Sequence, residues 1–158
     1  MTGRTAQTEA MWRAYRAAQP DVPDAYDVVA FGDSPGMADE LADLVVAGVK
    51  RATAGSLRSY GPDDPLPRAG DHAVVVDGRG VPRCVWRTTH VEVKPLDQVD
   101  DRFAWDEGEG DRTRDYWLAA HRRFFATEGQ REGYEFSEAM DTVFERFTVV
   151  WPPEVADG

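Results

Sequence analysis

The chain has 158 residues, 42% of them apolar and 30% charged, a globular balance with enough length for one domain and its core. Its formal charge of −11, from 18 basic against 29 acidic residues, disfavours RNA as a partner, because gripping a polynucleotide backbone requires Lys and Arg against phosphates. No run is long enough to cross a bilayer, no basic-then-apolar leader opens the chain, and its one cysteine, Cys84, has no internal partner. A cytoplasmic protein without a membrane partner is therefore expected.

In chain order, residues 8–18 read as a first helix with Met11, Trp12, Tyr15 and Ala18 on one stripe, ended by Pro20 and Pro23. Tyr26 to Phe31 is a short apolar run. Ser34 then marks a helix N-terminus, with Pro35 at the first helical position and Met37, Leu41, Leu44 and Val45 as the buried stripe. Asp39, Glu40 and Asp43 read as its solvated face, and Gly48 as its stop. A strand-like segment follows Thr53. After a proline-rich loop, His72–Val76 reads as a buried strand, Asp77–Gly80 as a tight turn and Arg83–Val93 as the returning strand of a hairpin. Residues 97–112 are acidic and glycine-containing and read as a loop. A helix over 113–127 and a closing strand over 142–151 complete the pattern. Strands interleaved irregularly with helices predict an α+β fold with a small mixed or antiparallel sheet.

Gly48-Val49-Lys50-Arg51-Ala52-Thr53 stands where the second helix gives way to a strand. Lys50 is one of two lysines, with Lys94, in a chain otherwise supplied with arginine. Arginine stays charged, whereas a desolvated lysine can lose its proton and act as a base. Set against this is the ordinary role of a lysine at a helix C-terminus, where it partners the last carbonyls. His121 lies on the aromatic side of the last helix with Trp117, Phe124 and Phe125, where a packed histidine is the ordinary reading. Exposed salt-bridging is the ordinary role for Arg51 and Arg112, and simple packing for Trp105 and Tyr116. The acidic residues 106–111 are hard-oxygen donors, but their order does not fit an EF-hand loop and no Cys/His spacing suggests zinc. No metal and no cofactor are expected.

The ordered set of Phe31-Gly32-Asp33-Ser34-Pro35, the Gly48–Thr53 hexapeptide with its G-x-K-x-x-T spacing, Glu107-Gly108-Glu109-Gly110-Asp111, and Trp117/His121/Phe124/Phe125 resembles the ASCH domain family. The resemblance covers about residues 31–151. It implies a PUA-like small β-barrel with flanking helices over residues 25–153, with 1–24 as an N-terminal helical extension and 154–158 as a polar tail. Some small bacterial members are amidohydrolases that remove the acetyl group from N4-acetylcytidine. Carried over by position, the resemblance implies Lys50, Thr53 and Glu107 as the catalytic trio, with Glu109 as the alternative acidic partner.

In that chemistry Thr53 supplies the nucleophilic hydroxyl, Lys50 takes its proton if neutral, and Glu107 orients the substrate or protonates the leaving amine. An ionised neighbour would hold Lys50 charged and blunt it as a base. Arg51, Trp105, Glu109, Arg112, Tyr116 and His121 are the candidate substrate-binding residues, with the aromatics suited to stacking on a base. The partner expected is a small nucleoside or modified base. The alternative is a non-catalytic RNA-binding module. A ribonuclease is the weaker third reading, for want of a basic phosphate clamp.

Overall fold

The computed structural model describes residues 3–32 and 34–157, so Asp33 of the upstream motif lies outside the described residues. The helices are α1 (Ala6–Ala18), α2 (Pro35–Val46), α3 (Asp101–Glu107) and α4 (Arg114–Glu132). The strands are β1 (Asp27–Val29), β2 (Ala52–Ser56), β3 (His72–Val76), β4 (Pro82–Pro95) and β5 (Asp141–Trp151). They form one mixed five-stranded sheet in the order β1-β3-β4-β5-β2. The α+β class expected is the class observed. The chain divides into two compact units, residues 1–49, 68–89 and 147–158, and residues 50–67 and 90–146.

In the first unit β3 pairs in parallel with β1 and antiparallel with β4. All five residues of β3 are buried, because both faces of the hairpin are covered. On one face Val74, Val76 and Val85 pack with Trp12, Tyr15 and Tyr26. On the other Ala73, Val75, Cys84 and Trp86 pack with Leu41, Val45 and Phe147, where the Trp86 and Phe147 rings stack at 3.9 Å. Alternation along a strand sends successive side chains to these two faces.

Local chemistry sets the helix ends. Thr5 caps α1 by accepting from Thr8 N, and Ser34 caps α2 by accepting from Met37 N at 3.1 Å. At the other end of α2, Gly48 takes φ +83°, and the bonds Gly48 N to Val45 O and Val49 N to Leu44 O close a Schellman motif. Two of the α2 acids, exposed as expected, also tether the hairpin. Asp39 accepts from Gly78 N at 2.8 Å, and Asp43 pairs with Arg83 at 2.8 Å.

In the second unit β2 pairs antiparallel with β5, from Ala52 opposite Arg146 to Ser56 opposite Thr142. The core gathers Ala52, Leu96, Val99, Phe103, Trp117, Leu118, Phe125 and Phe144. The acidic stretch, expected to be a loop, contains α3. Asp100 caps it by accepting from Phe103 N at 2.7 Å, and Phe103 and Ala104 bury its apolar side. Charge density hid a helix that buries only two apolar residues. The last helix starts at its Thr113 cap as expected and runs five residues further, to Glu132.

Candidate functional site

The residues that converge all belong to the second unit. Glu107 is the last residue of α3, just before Gly108 turns the chain out of the helix. Arg51 N donates to Asp106 O at 2.6 Å, tying the approach to β2 against the end of α3. Arg146 of β5 also reaches the Asp106 carboxylate. These ties hold Lys50 beside Glu107.

Lys50 and Glu107 are each 1% exposed. Lys50 Nζ donates to Ala52 O at 2.8 Å and meets Glu107 Oε1 at 3.3 Å and Glu109 Oε2 at 3.5 Å. Acceptors therefore surround this nitrogen, the environment of a proton donor. Glu107 Oε2 receives the Trp117 indole N–H and lies 3.4 Å from His121 Nε2. His121 stacks on Trp117 at 3.7 Å, and its Nδ1 contacts Trp117 O at 2.8 Å. A carbonyl only accepts, so Nδ1 carries a hydrogen and Nε2 is the nitrogen turned to the carboxylate. That contact is attractive when a proton lies between them.

Two carboxylates thus share one lysine, leaving the cluster short of one positive charge unless it takes up a further proton. Glu109 answers to this. Burial pushes its carboxyl above the usual glutamate value and nearby Glu107 adds to the rise, while Lys50 and His121 oppose it. Its side chain is 30% exposed, so it is the acid of the cluster open to an incoming molecule.

Thr53 stands on β2, half-buried. Its neighbours Ala52 and Ala54 pack into the Phe103–Trp117 core, so alternation turns Thr53 to the other strand face. There its cross-strand partner is Glu145, 8% exposed. Among the described residues no hydrogen bond joins the Thr53 hydroxyl to Lys50 or Glu107. Arg51 is half-buried and its guanidinium donates to Lys50 O at 2.8 Å. Trp105 is 53% exposed, with the Arg112 guanidinium 3.9 Å over its ring and Arg112 Nε donating to Trp105 O. Tyr116 is exposed and its ring lies over Gly110. The structure therefore brings Lys50, Glu107, Glu109 and His121 into one cluster and leaves the Trp105–Arg112 pair and Tyr116 as surface groups.

The sequence reading passed over two residues. Trp117, placed in the motif, holds Glu107 through its indole. Glu145 is an acid in the middle of an apolar strand run, and that interruption was its signal.

The sequence model of the ASCH domain matches residues 27–151. The chain belongs to the ASCH domain family. Its fold is similar to the crystal structure of an ASCH domain from Lactobacillus crispatus JV V101, with a TM-score of 0.88 and 30% identity over 96% of this chain and 99% of that one. It is likewise similar to the crystal structure of a protein from Enterococcus faecalis V583, with a TM-score of 0.82 and 36% identity over 91% of this chain and 92% of that one. A comparison with curated proteins finds no match. No described helix of this ASCH protein is long and apolar enough to cross a membrane.

Proposed function

We propose that this ASCH protein is an amidohydrolase that removes the acyl group from an N-acylated cytidine or a closely related nucleoside, using Lys50, Glu107 and Glu109. The observation that carries this reading is the burial of Lys50 and Glu107 in one charge cluster, each 1% exposed. Packed apolar side chains would stabilise such a position at least as well, so a buried ion pair of this kind speaks for chemistry.

Lys50, ringed by acceptors, serves as the cation for a developing oxyanion rather than as the base. A water molecule attacks the acyl carbon, and the carbonyl electron pair moves onto oxygen beside Lys50. Glu109, in its ionised form, takes the water proton and returns it to the leaving amine as the carbon–nitrogen bond breaks, releasing the carboxylic acid and the free amine. Glu107 holds Lys50 in place, and Trp117 and His121 hold Glu107.

A non-catalytic RNA-binding module is the second reading, drawn from exposed Trp105 and Tyr116, which offer faces for base stacking. The net charge of −11 weighs against it. The test is incubation of the protein with N4-acetylcytidine, following cytidine by chromatography. Release is expected, with Thr53→Val still active and Glu109→Gln lowered in kcat by about 10²–10⁴-fold. Absence of release from every acylated pyrimidine nucleoside tried would overturn the amidohydrolase reading. Inactivity of a folded Thr53→Val would make threonine the nucleophile in place of water.

A further inference from the structure

The first unit contains a cavity of about 570 Å³ that the proposed reaction does not use. It lies between the end of α1, the turn after it, the strands β3 to β5 and residues 156–157. Three side chains give it a chemical character. Tyr15 comes from α1, His72 opens β3, and Arg87 stands directly opposite His72 on β4. Cross-strand partners project from the same face with Cβ atoms about 5 Å apart, so His72 and Arg87 enter the cavity together.

The trio is ordered by packing. Tyr15 is 4% exposed and His72 is 7% exposed. The Tyr15 hydroxyl meets His72 Nε2 at 3.4 Å, and Trp12 presses against the imidazole at 5.5 Å between ring centroids. Burial, with Arg87 nearby, pushes His72 below the usual histidine value and favours the neutral ring, while Asp71 opposes it. A neutral ring with its hydrogen on Nε2 donates to the Tyr15 oxygen, which frees the tyrosine hydrogen for a ligand.

Arg87 differs from the arginines around it. Arg4, Arg16 and Arg83 of the same unit each pair with a carboxylate. Arg87 is exposed toward the cavity and has no carboxylate within 4 Å among the described residues. Of the two acids lining the cavity, Asp157 is engaged by the Thr148 hydroxyl and by Val149 N. Asp21 is exposed in the turn after α1. Val22, Pro23 and Val150 supply an apolar wall.

We propose that this cavity binds a small organic oxyanion, with Arg87 and the Tyr15 hydroxyl donating to a phosphate or carboxylate group and the apolar wall covering its carbon frame. A planar guanidinium next to a hydroxyl donor matches the geometry of either anion. His72 is a positioning residue that sets the direction of the tyrosine hydroxyl. This site stands independently of the amidohydrolase reading.

The experiment is a titration of the ¹⁵N-labelled full chain with inorganic phosphate and, separately, with butyrate, following the Arg87 Nε–H resonance. Saturable shifts at millimolar concentration are expected for one of the two, and which one identifies the group. Arg87→Gln, an exposed change that leaves the core intact, is expected to weaken that binding at least about tenfold. Tyr15→Phe, which keeps the ring, is expected to weaken it by a smaller factor. No saturable shift with either anion up to about 50 mM, or equal affinity in Arg87→Gln, would overturn the proposal.

Discussion

Glu107 shows how much one side chain can gather. Its two oxygens reach Lys50, Trp117 and His121, and its backbone carbonyl lies 3.5 Å from the same lysine nitrogen. The expectation that Lys50 faces an acid was readable from the ordered motifs. The choice between Glu107 and Glu109 was not, because two acids two residues apart in a glycine-rich turn can each face inward. The structure gives them different surroundings: Glu107 buried between three partners, Glu109 partly open. Burial raises the Glu109 carboxyl, so between the unfolded and the folded value the folded protein holds a proton there that the unfolded chain has released. The stability contributed is full below the unfolded value of 4.5 and is lost as pH rises through the higher folded value. Glu109→Gln is therefore expected to gain melting temperature near neutral pH and to gain little at about pH 4, measured by calorimetry. A loss near neutral pH would mean that attraction to Lys50 outweighs burial.

Among the elements, those with both a cap and an apolar stripe were legible. Ser34 with Pro35 marked α2, Gly48 marked its end, and the run His72–Val76 marked β3 at its observed bounds. α3 escaped because its seven residues include three acids and only Phe103, Ala104 and Trp105 as apolar members. Its existence depends on the packing of Phe103 against Phe144, at 5.0 Å between ring centroids, which belongs to a strand about forty residues later. The contact between the hairpin turn and α2 was likewise invisible, since nothing local links Asp39 to Gly78. A Cβ placed on Gly78 would lie 2.2 Å from Pro35 O, a backbone atom that cannot swing aside. Gly78→Ala is expected to cost roughly 1–3 kcal/mol, read as a lower urea midpoint with unchanged slope. A midpoint equal to that of the unsubstituted protein would show that the turn gives way freely.

At the scale of the whole molecule, the charge of −11 is the property with the widest consequence. Labelled single-stranded RNA is expected to show no change in fluorescence anisotropy with this protein at about 0.15 M salt. Binding whose affinity falls steeply with added salt would instead support the RNA-binding module. Capping residues and strand periodicity were enough to determine the α+β class, and the ordered motifs around Lys50, Glu107 and Trp117 carried the resemblance to the family, because such signals act over a few residues and survive in any one-dimensional reading. The tertiary structure alone decided which charged groups meet. Lys50, Glu107 and His121 are separated by 57 and 14 positions, and Tyr15, His72 and Arg87 by 57 and 15. Only chain closure, with strand register and helix packing, brings such groups together, and there burial and mutual charge set their chemistry.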